Sequence, residues 1–397
     1  MNDKEEEKRE PDFRQFNRRP FRIAASAVGL LISLMIVEFA VRAYDKARSG
    51  VPLFQTYQSQ VLPDSLLGYR LRPGRKGAGI TINRLGMRGR EVSLRKPQGV
   101  LRIIAMGGST TFGVGVKDNE TYPFYLEKKL REAGLSVQVL NAGVQGYHSY
   151  HHLLRLSELF KLEPDMILLY TGWNDFGVRL VLGDKWRPNT TRGSGVLFDP
   201  ATRPFWQRVA LRFSTYSALL NHAKSLVVKF RWRKSHSVAE RKSIAYIEDT
   251  RVLENYRRNM EEIVTRIQNF GANAVLASQV FILRTSSSSS DSRALARTAP
   301  DLYRRDARYW AAYARWRDEM NQTVKDVAKG KNAVFLDCAS DFEEYDVRDR
   351  AQLFQDMIHL TPTGYERLAE SMARRLLQNE SLFHQSGVRK PSVAPSS

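Results

Sequence analysis

The 397-residue chain holds one cysteine, Cys338. No intrachain disulfide can form, and a lone thiol carries no metal-ligand spacing. Cys338 ends the apolar run Ala333-Val334-Phe335-Leu336-Asp337-Cys338 and reads as a small core residue. Internal repeats are lacking, which excludes repeat architectures. Nucleic-acid-binding modules are lacking as well, although the formal net charge is +20. Residues 1–43 hold eight Lys/Arg against seven Asp/Glu, so nearly all of that excess belongs to residues 44–397. A basic surface of this kind favours an anionic partner, or simply keeps the domain solvated; nucleic acid is not the expected partner.

Only one apolar run is long enough for a bilayer. Residues 23–41 are apolar apart from Ser26, Ser33 and Glu38. At ~1.5 Å per helical residue they span roughly the 30 Å of a hydrocarbon core. Arg14, Arg18, Arg19 and Arg22 precede the run with no acid after Asp12, and Arg42, Lys46 and Arg48 follow it. The bias places the amino terminus in the cytoplasm. A cleaved signal peptide is the alternative, but the run is long for one and no small-x-small site precedes Tyr44. The expectation is a disordered cytoplasmic tail (1–20), a single-pass anchor (21–43) and an extracytoplasmic remainder. Glu38 sits near the far end, where its carboxylate can snorkel to the interface.

Residues 44–98 are rich in Gly and Pro turns, and 80–89 alternates like a hairpin, so this stretch reads as a linker and small β extension. From residue 99 strands and helices alternate. Strands are expected at 101–106, 136–141, 166–171, 273–283 and 333–337, and helices at 120–133, 147–162, 250–270, 307–329 and 362–378. That order predicts a mainly parallel sheet with helices on both faces, in a domain spanning 99–380. Insertions at 176–249 and 284–306 interrupt it, and 381–397 reads as a disordered tail.

Chemistry concentrates at four points. Gly107-Gly108-Ser109-Thr110-Thr111 follows the first buried strand, so Ser109 stands at a strand's carboxyl edge as a candidate nucleophile. Asn141 to Gly146 and Gly172-Trp173-Asn174-Asp175 lie at two further strand ends. The Ser109 and Gly146 backbone N–H groups and the Asn174 amide could form an oxyanion pocket. Asp356 and His359 are three residues apart, about one helical turn, so Asp356 can orient His359 as the base toward Ser109. Three other features have bland readings beside sharper ones. Trp173 either stacks on a sugar ring or fills the sheet edge. His148, His151 and His152 read as a solvated helix face rather than a metal site. The basic-aromatic stretch Lys229-Phe230-Arg231-Trp232-Arg233-Lys234 lies against lipid head groups or in solvent.

These four blocks, in this order, resemble the SGNH/GDSL hydrolase family. The resemblance covers about residues 65–378, since Gly86-Met87-Arg88-Gly89 also looks like the β extension of a membrane-anchored branch. It implies a three-layer α/β/α flavodoxin-like sandwich with a five-stranded sheet, no metal or other cofactor, and ester hydrolysis through an acyl-enzyme. Carried onto this chain, the nucleophile is Ser109, the base His359 and its orienter Asp356. The oxyanion donors are Ser109, Gly146 and Asn174. One departure stands out: the family's name-giving Asp before the serine is Gly108 here.

The leading expectation is a membrane-anchored, extracytoplasmic serine esterase that removes an acyl group, O-acetyl in the first instance, from a cell-surface glycan. Two alternatives remain at this point: an acyltransferase or lipid esterase with the same triad, and a non-catalytic glycan-binding accessory protein.

Overall fold

A computed structural model of the chain describes residues 19–49, 60–191, 245–284 and 307–379, with short pieces within 217–223 and 287–298 and at Leu382. The expected tails, most of both insertions and the stretch 229–234 lie outside the described residues.

Helix α1 (Arg19–Ser49) contains Phe21–Ala47, whose most apolar 18-residue window has mean hydropathy 2.2 and is not buried among the described residues. It is long and apolar enough to cross a membrane. Glu38 does not simply reach outward. Its carboxylate pairs with Arg42 at 2.7 Å and accepts from the Ser217 hydroxyl and the Ala218 and Leu219 N–H groups at 2.7–3.0 Å.

Two short hairpins follow: β1 (Val61–Asp64) with β2 (Gly68–Leu71), and β3 (Lys76–Gly77) with β4 (Ile80–Thr81). Isolated bridges Ile82↔Arg88 and Arg88↔Asn141 then tie this extension to the main sheet.

The main sheet is five-stranded and wholly parallel: β5 (Leu101–Gly107), β6 (Val137–Asn141), β7 (Met166–Tyr170), β8 (Asn273–Ala277) and β9 (Val334–Leu336), in the order β6-β5-β7-β8-β9. Every residue of β5 and β7 is buried. Such strands read as continuous apolar runs because helices cover both faces. Those helices are α2 (Ser109–Phe112), α3 (Tyr122–Glu132), α4 (Ser149–Phe160), α5 (Trp173–Leu182), α6 (Thr250–Phe270), α7 (Ala307–Gly330), α8 (Cys338–Glu343), α9 (Val347–Leu353) and α10 (Pro362–Gln378). The expected α/β sandwich is the one observed. The chain winds outward from β5 to β6, then crosses back to β7. That reversal lies between β5 and β7, at whose carboxyl ends such folds bind ligands.

Two boundaries differ from expectation for physical reasons. The apolar run 273–283 leaves the sheet after Ala277 because its neighbour β9 is only three residues long. Its carbonyls are satisfied otherwise: the buried Arg350 guanidinium donates to Phe281 O and Ile282 O. A helix also begins at Trp173 and runs into the stretch read as an insertion from 176 onward. Asp175 in its first turn and apolar residues at helical spacing, Trp173, Phe176 and Leu180, favour that helix.

Candidate active site

Ser109 is the first residue of α2, directly after β5. His359 and Asp356 arrive on a loop before α10, closed at its base by the bridge Phe354↔Leu360. The three side chains form one hydrogen-bonded chain. Ser109 Oγ lies 2.8 Å from His359 Nε2, and His359 Nδ1 lies 2.7 Å from Asp356 Oδ2. An ionised carboxylate only accepts, so the ring proton sits on Nδ1 and the Nε2 lone pair faces the serine hydroxyl, which donates.

The spacing from Asp356 to His359 suggests one helical turn, and the structure corrects this. The segment is a tight loop in which Asp356 Oδ1 accepts the N–H groups of Ile358 and His359 at 2.9 and 2.8 Å. Aspartate favours such turns because its short side chain reaches its own backbone two and three residues on. The same carboxylate therefore builds the loop with one oxygen and holds the imidazole with the other. Lost hydration pushes the Asp356 carboxyl up, but the His359 side chain and these N–H donors outweigh it and hold its pKa below the usual carboxylate value. Gln355, a residue sequence reasoning missed, clamps the loop. Its amide donates to Leu360 O and, at 3.2 Å, to Val114 O just beyond α2.

The other two blocks close on Ser109 from the neighbouring strands. Val144 N–H donates to Gly107 O at 3.1 Å, which presses the Gly143–Tyr147 loop onto the end of β5. Gly143 is obligatory there, since a Cβ would lie 2.2 Å from Phe112 N. Asn174 Nδ2 donates to Tyr147 O at 2.8 Å. Among the described residues, the Ser109, Gln145 and Gly146 N–H groups make no hydrogen bond within the protein. The Ser109 amide is free because the first turn of a helix leaves its N–H groups without carbonyl partners.

Two buried groups brace this edge. Arg88, from the β extension, donates to Phe112 O, Gly113 O and Val116 O at 2.5–2.7 Å and pairs with Asp118 at 2.8 Å. It thus satisfies the carbonyls that end α2. Asp175 accepts the Ser149 hydroxyl and N–H, joining the start of α5 to the start of α4. Burial drives the Asp175 pKa up to about 7 despite those donors.

Two sequence readings are overturned. Trp173 does not offer a face to a sugar. It is 5% exposed, stacks on Tyr313 at 5.4 Å and packs beside Phe281 and Trp316, so it fills the sheet edge under α7. His148, His151 and His152 are not a solvated face either: all are buried. His151 stacks on Tyr147 at 4.4 Å, and His152 Nε2 lies 3.0 Å from the Thr171 hydroxyl. Tertiary partners such as Tyr69 of the β extension, 6.3 Å from His151, help bury this helix face. Among the described residues, no group of three or more His, Cys, Asp or Glu side chains is placed to hold a metal ion.

A family model for GDSL-like lipases and acylhydrolases matches residues 105–367, two-thirds of the sequence. The chain belongs to that family. As a member of the GDSL-like family it is a serine hydrolase of ester bonds. No curated protein matches it in sequence. Among solved structures it is similar to Axe2, an acetylxylan esterase from Geobacillus stearothermophilus. The identity is 14%, over 73% of this chain and 96% of that one, with a TM-score of 0.40. It is also similar to an α/β-hydrolase enzyme from the metagenome of Lake Arreo, Spain. Here the identity is 16%, over 69% and 94% of the two chains, with a TM-score of 0.38. The GDSL aspartate replaced by Gly108 now has a local reason: a Cβ at 108 would come within 2.5 Å of Asn174 Nδ2. Glycine lets that amide lie beside the serine.

Proposed function

We propose that Ser109, His359 and Asp356 are the catalytic triad of a membrane-anchored, extracytoplasmic esterase acting on O-acyl groups of a surface glycan. The observation that carries the reading is the unbroken chain of 2.8 and 2.7 Å contacts from Ser109 Oγ through His359 to Asp356. In the first step Ser109 Oγ attacks the ester carbonyl carbon while its proton passes to His359 Nε2. The carbonyl electron pair moves to oxygen, and the resulting oxyanion is held by Ser109 N–H, Gly146 N–H and the Asn174 amide. Asp356 stays ionised and stabilises the imidazolium through Nδ1. Collapse of this intermediate breaks the bond to the leaving sugar oxygen, which takes the proton from His359. Water then attacks the acyl-serine with His359 again as base, releasing the carboxylic acid and restoring Ser109.

The anchor reading rests on the 27-residue apolar helix and the arginines before it. The acyl-glycan reading rests on the anchor and on the basic excess of residues 44–397, which suits an anionic polymer made or exported at the membrane. The test uses the full chain in detergent, with p-nitrophenyl acetate and an O-acetylated anionic polysaccharide as substrates. Acetate release from both, abolished in Ser109→Ala, is the expected result. Equal rates for the two proteins overturn the triad. Turnover of the small ester alone overturns the glycan assignment.

A further inference from the structure

The proposed oxyanion donor Gly146 N–H belongs to a peptide unit whose other end is held from outside the region matched by the family model. Val144 to Tyr147 forms a β-turn, closed by Tyr147 N–H to Val144 O at 3.1 Å. Gly146, the third residue of that turn, has φ +80°. The Gln145–Gly146 peptide is therefore its central unit. Turns of this kind exist in two forms that differ by a flip of the central peptide, with φ at the third residue either positive or near −90°. Glycine adopts both at little cost. A flip would point the Gly146 N–H the opposite way, because C=O and N–H lie at opposite ends of one planar group.

One side chain selects between the two forms. Tyr69, in β2 of the extension, is fully buried and donates its hydroxyl to Gln145 O at 2.6 Å. The flip would break that buried 2.6 Å bond, which is costly. The Tyr69 ring is held by its edge-on contact with the Tyr147 ring at 5.3 Å; the Tyr147 hydroxyl donates separately, to the Tyr69 backbone carbonyl.

We propose that Tyr69 is a positioning residue for ester hydrolysis: its hydroxyl holds the Gln145–Gly146 peptide with the N–H turned toward the oxyanion. The inference rests on the oxyanion assignment above. Donation to the carbonyl also polarises the peptide, so the same bond strengthens the N–H as a donor. The β extension thereby enters the chemistry through a backbone carbonyl of the Gly143–Tyr147 loop.

The test is Tyr69→Phe in the full chain, which keeps the ring and removes only the hydroxyl. Hydrolysis of p-nitrophenyl acetate is compared with that of the thionoacetate, whose sulfur is a poor hydrogen-bond acceptor. The expected result is a kcat about tenfold lower, KM within twofold, and a smaller oxo-to-thiono rate ratio, since one oxyanion donor is weakened. Gly146→Ala, which disfavours φ +80°, reaches the flipped turn independently of Tyr69 and is expected to lower the ratio too. Tyr147→Phe removes the return bond on the same ring pair and is expected to leave the ratio unchanged. An unchanged ratio in both Tyr69→Phe and Gly146→Ala, or an equal fall in Tyr147→Phe, overturns the proposal. Retained activity in Ser109→Ala overturns the catalytic reading beneath it instead.

Discussion

The parallel sheet and the β extension contribute to one site in opposite ways. The sheet supplies positions: Ser109 follows β5, Gly146 follows β6 and Asn174 follows β7, each at a carboxyl end beside the winding reversal. The extension supplies anchorage. Arg88 takes up the carbonyls that end α2, and Tyr69 holds a carbonyl of the Gly143–Tyr147 loop. Strand ends alone leave backbone groups unsatisfied and loops free to choose among conformers. The lesson is that side chains reaching in from another element decide which conformer persists.

If the division holds, variants at Ser109 and Asn174 lose turnover while the fold stands, and loss of the Arg88 network in the extension costs the fold first. The largest effect belongs to Ser109→Ala. Steady-state assays on p-nitrophenyl acetate are expected to show kcat lower by about 10⁴-fold or more, with an unchanged melting temperature. Next is Arg88→Met, which strands three carbonyls and Asp118 around a side chain that is 1% exposed. Chemical denaturation is expected to show a loss of roughly 3–5 kcal/mol, typical of breaking a buried charged network. Equal stability in that variant would erase the contrast between the regions. Asn174→Ala is expected to lower kcat by about 10²–10³-fold with little change in KM, the effect of one oxyanion donor.

A smaller effect concerns pH. Burial holds His148 down at about 4 and lowers His151 and His152 from the ordinary 6.5 as well. Imidazoles with depressed folded pKa values give stability that is fully present above about 6.5 and lost as pH falls toward about 4. Asp175 has the opposite sign. Its carboxyl is raised to about 7, so its contribution is fully present below about 4 and lost as pH rises through about 7. Melting temperature is therefore expected to fall on acidification, with Asp175 offsetting part of the loss. His151→Phe should flatten the profile and Asp175→Asn should steepen it. The smallest effect is expected at Trp173→Phe: a stability loss of about 1–2 kcal/mol with KM for the small ester within twofold.

Much of this site was legible because local chemistry and tertiary placement agree. Gly-Gly-Ser after an apolar run is a weak signal alone, since many serines follow a glycine turn, but four such blocks in order, each at a strand end or helix start, lead to the parallel sheet that brings them together. What stayed hidden depends on distant partners. Trp173 reads equally as a stacking platform or a sheet-edge filler until α7 is seen to cover it with Tyr313 and Trp316. His151 looks solvated until Tyr147 lies flat on its ring. Asp356 and His359 meet as their spacing suggests, but through a turn made by the aspartate itself rather than a helix. Tyr69 carries no motif at all; only its 2.6 Å bond to Gln145 O marks it.

The central claim is that Ser109 is a nucleophile activated by His359. The direct measurement is the intact mass, with peptide mapping, of the full chain after treatment with a fluorophosphonate. One adduct, on Ser109, with labelling slowed by orders of magnitude in His359→Ala, is the predicted result. A protein that stays unmodified, or is modified at another residue with Ser109 untouched, would contradict the account.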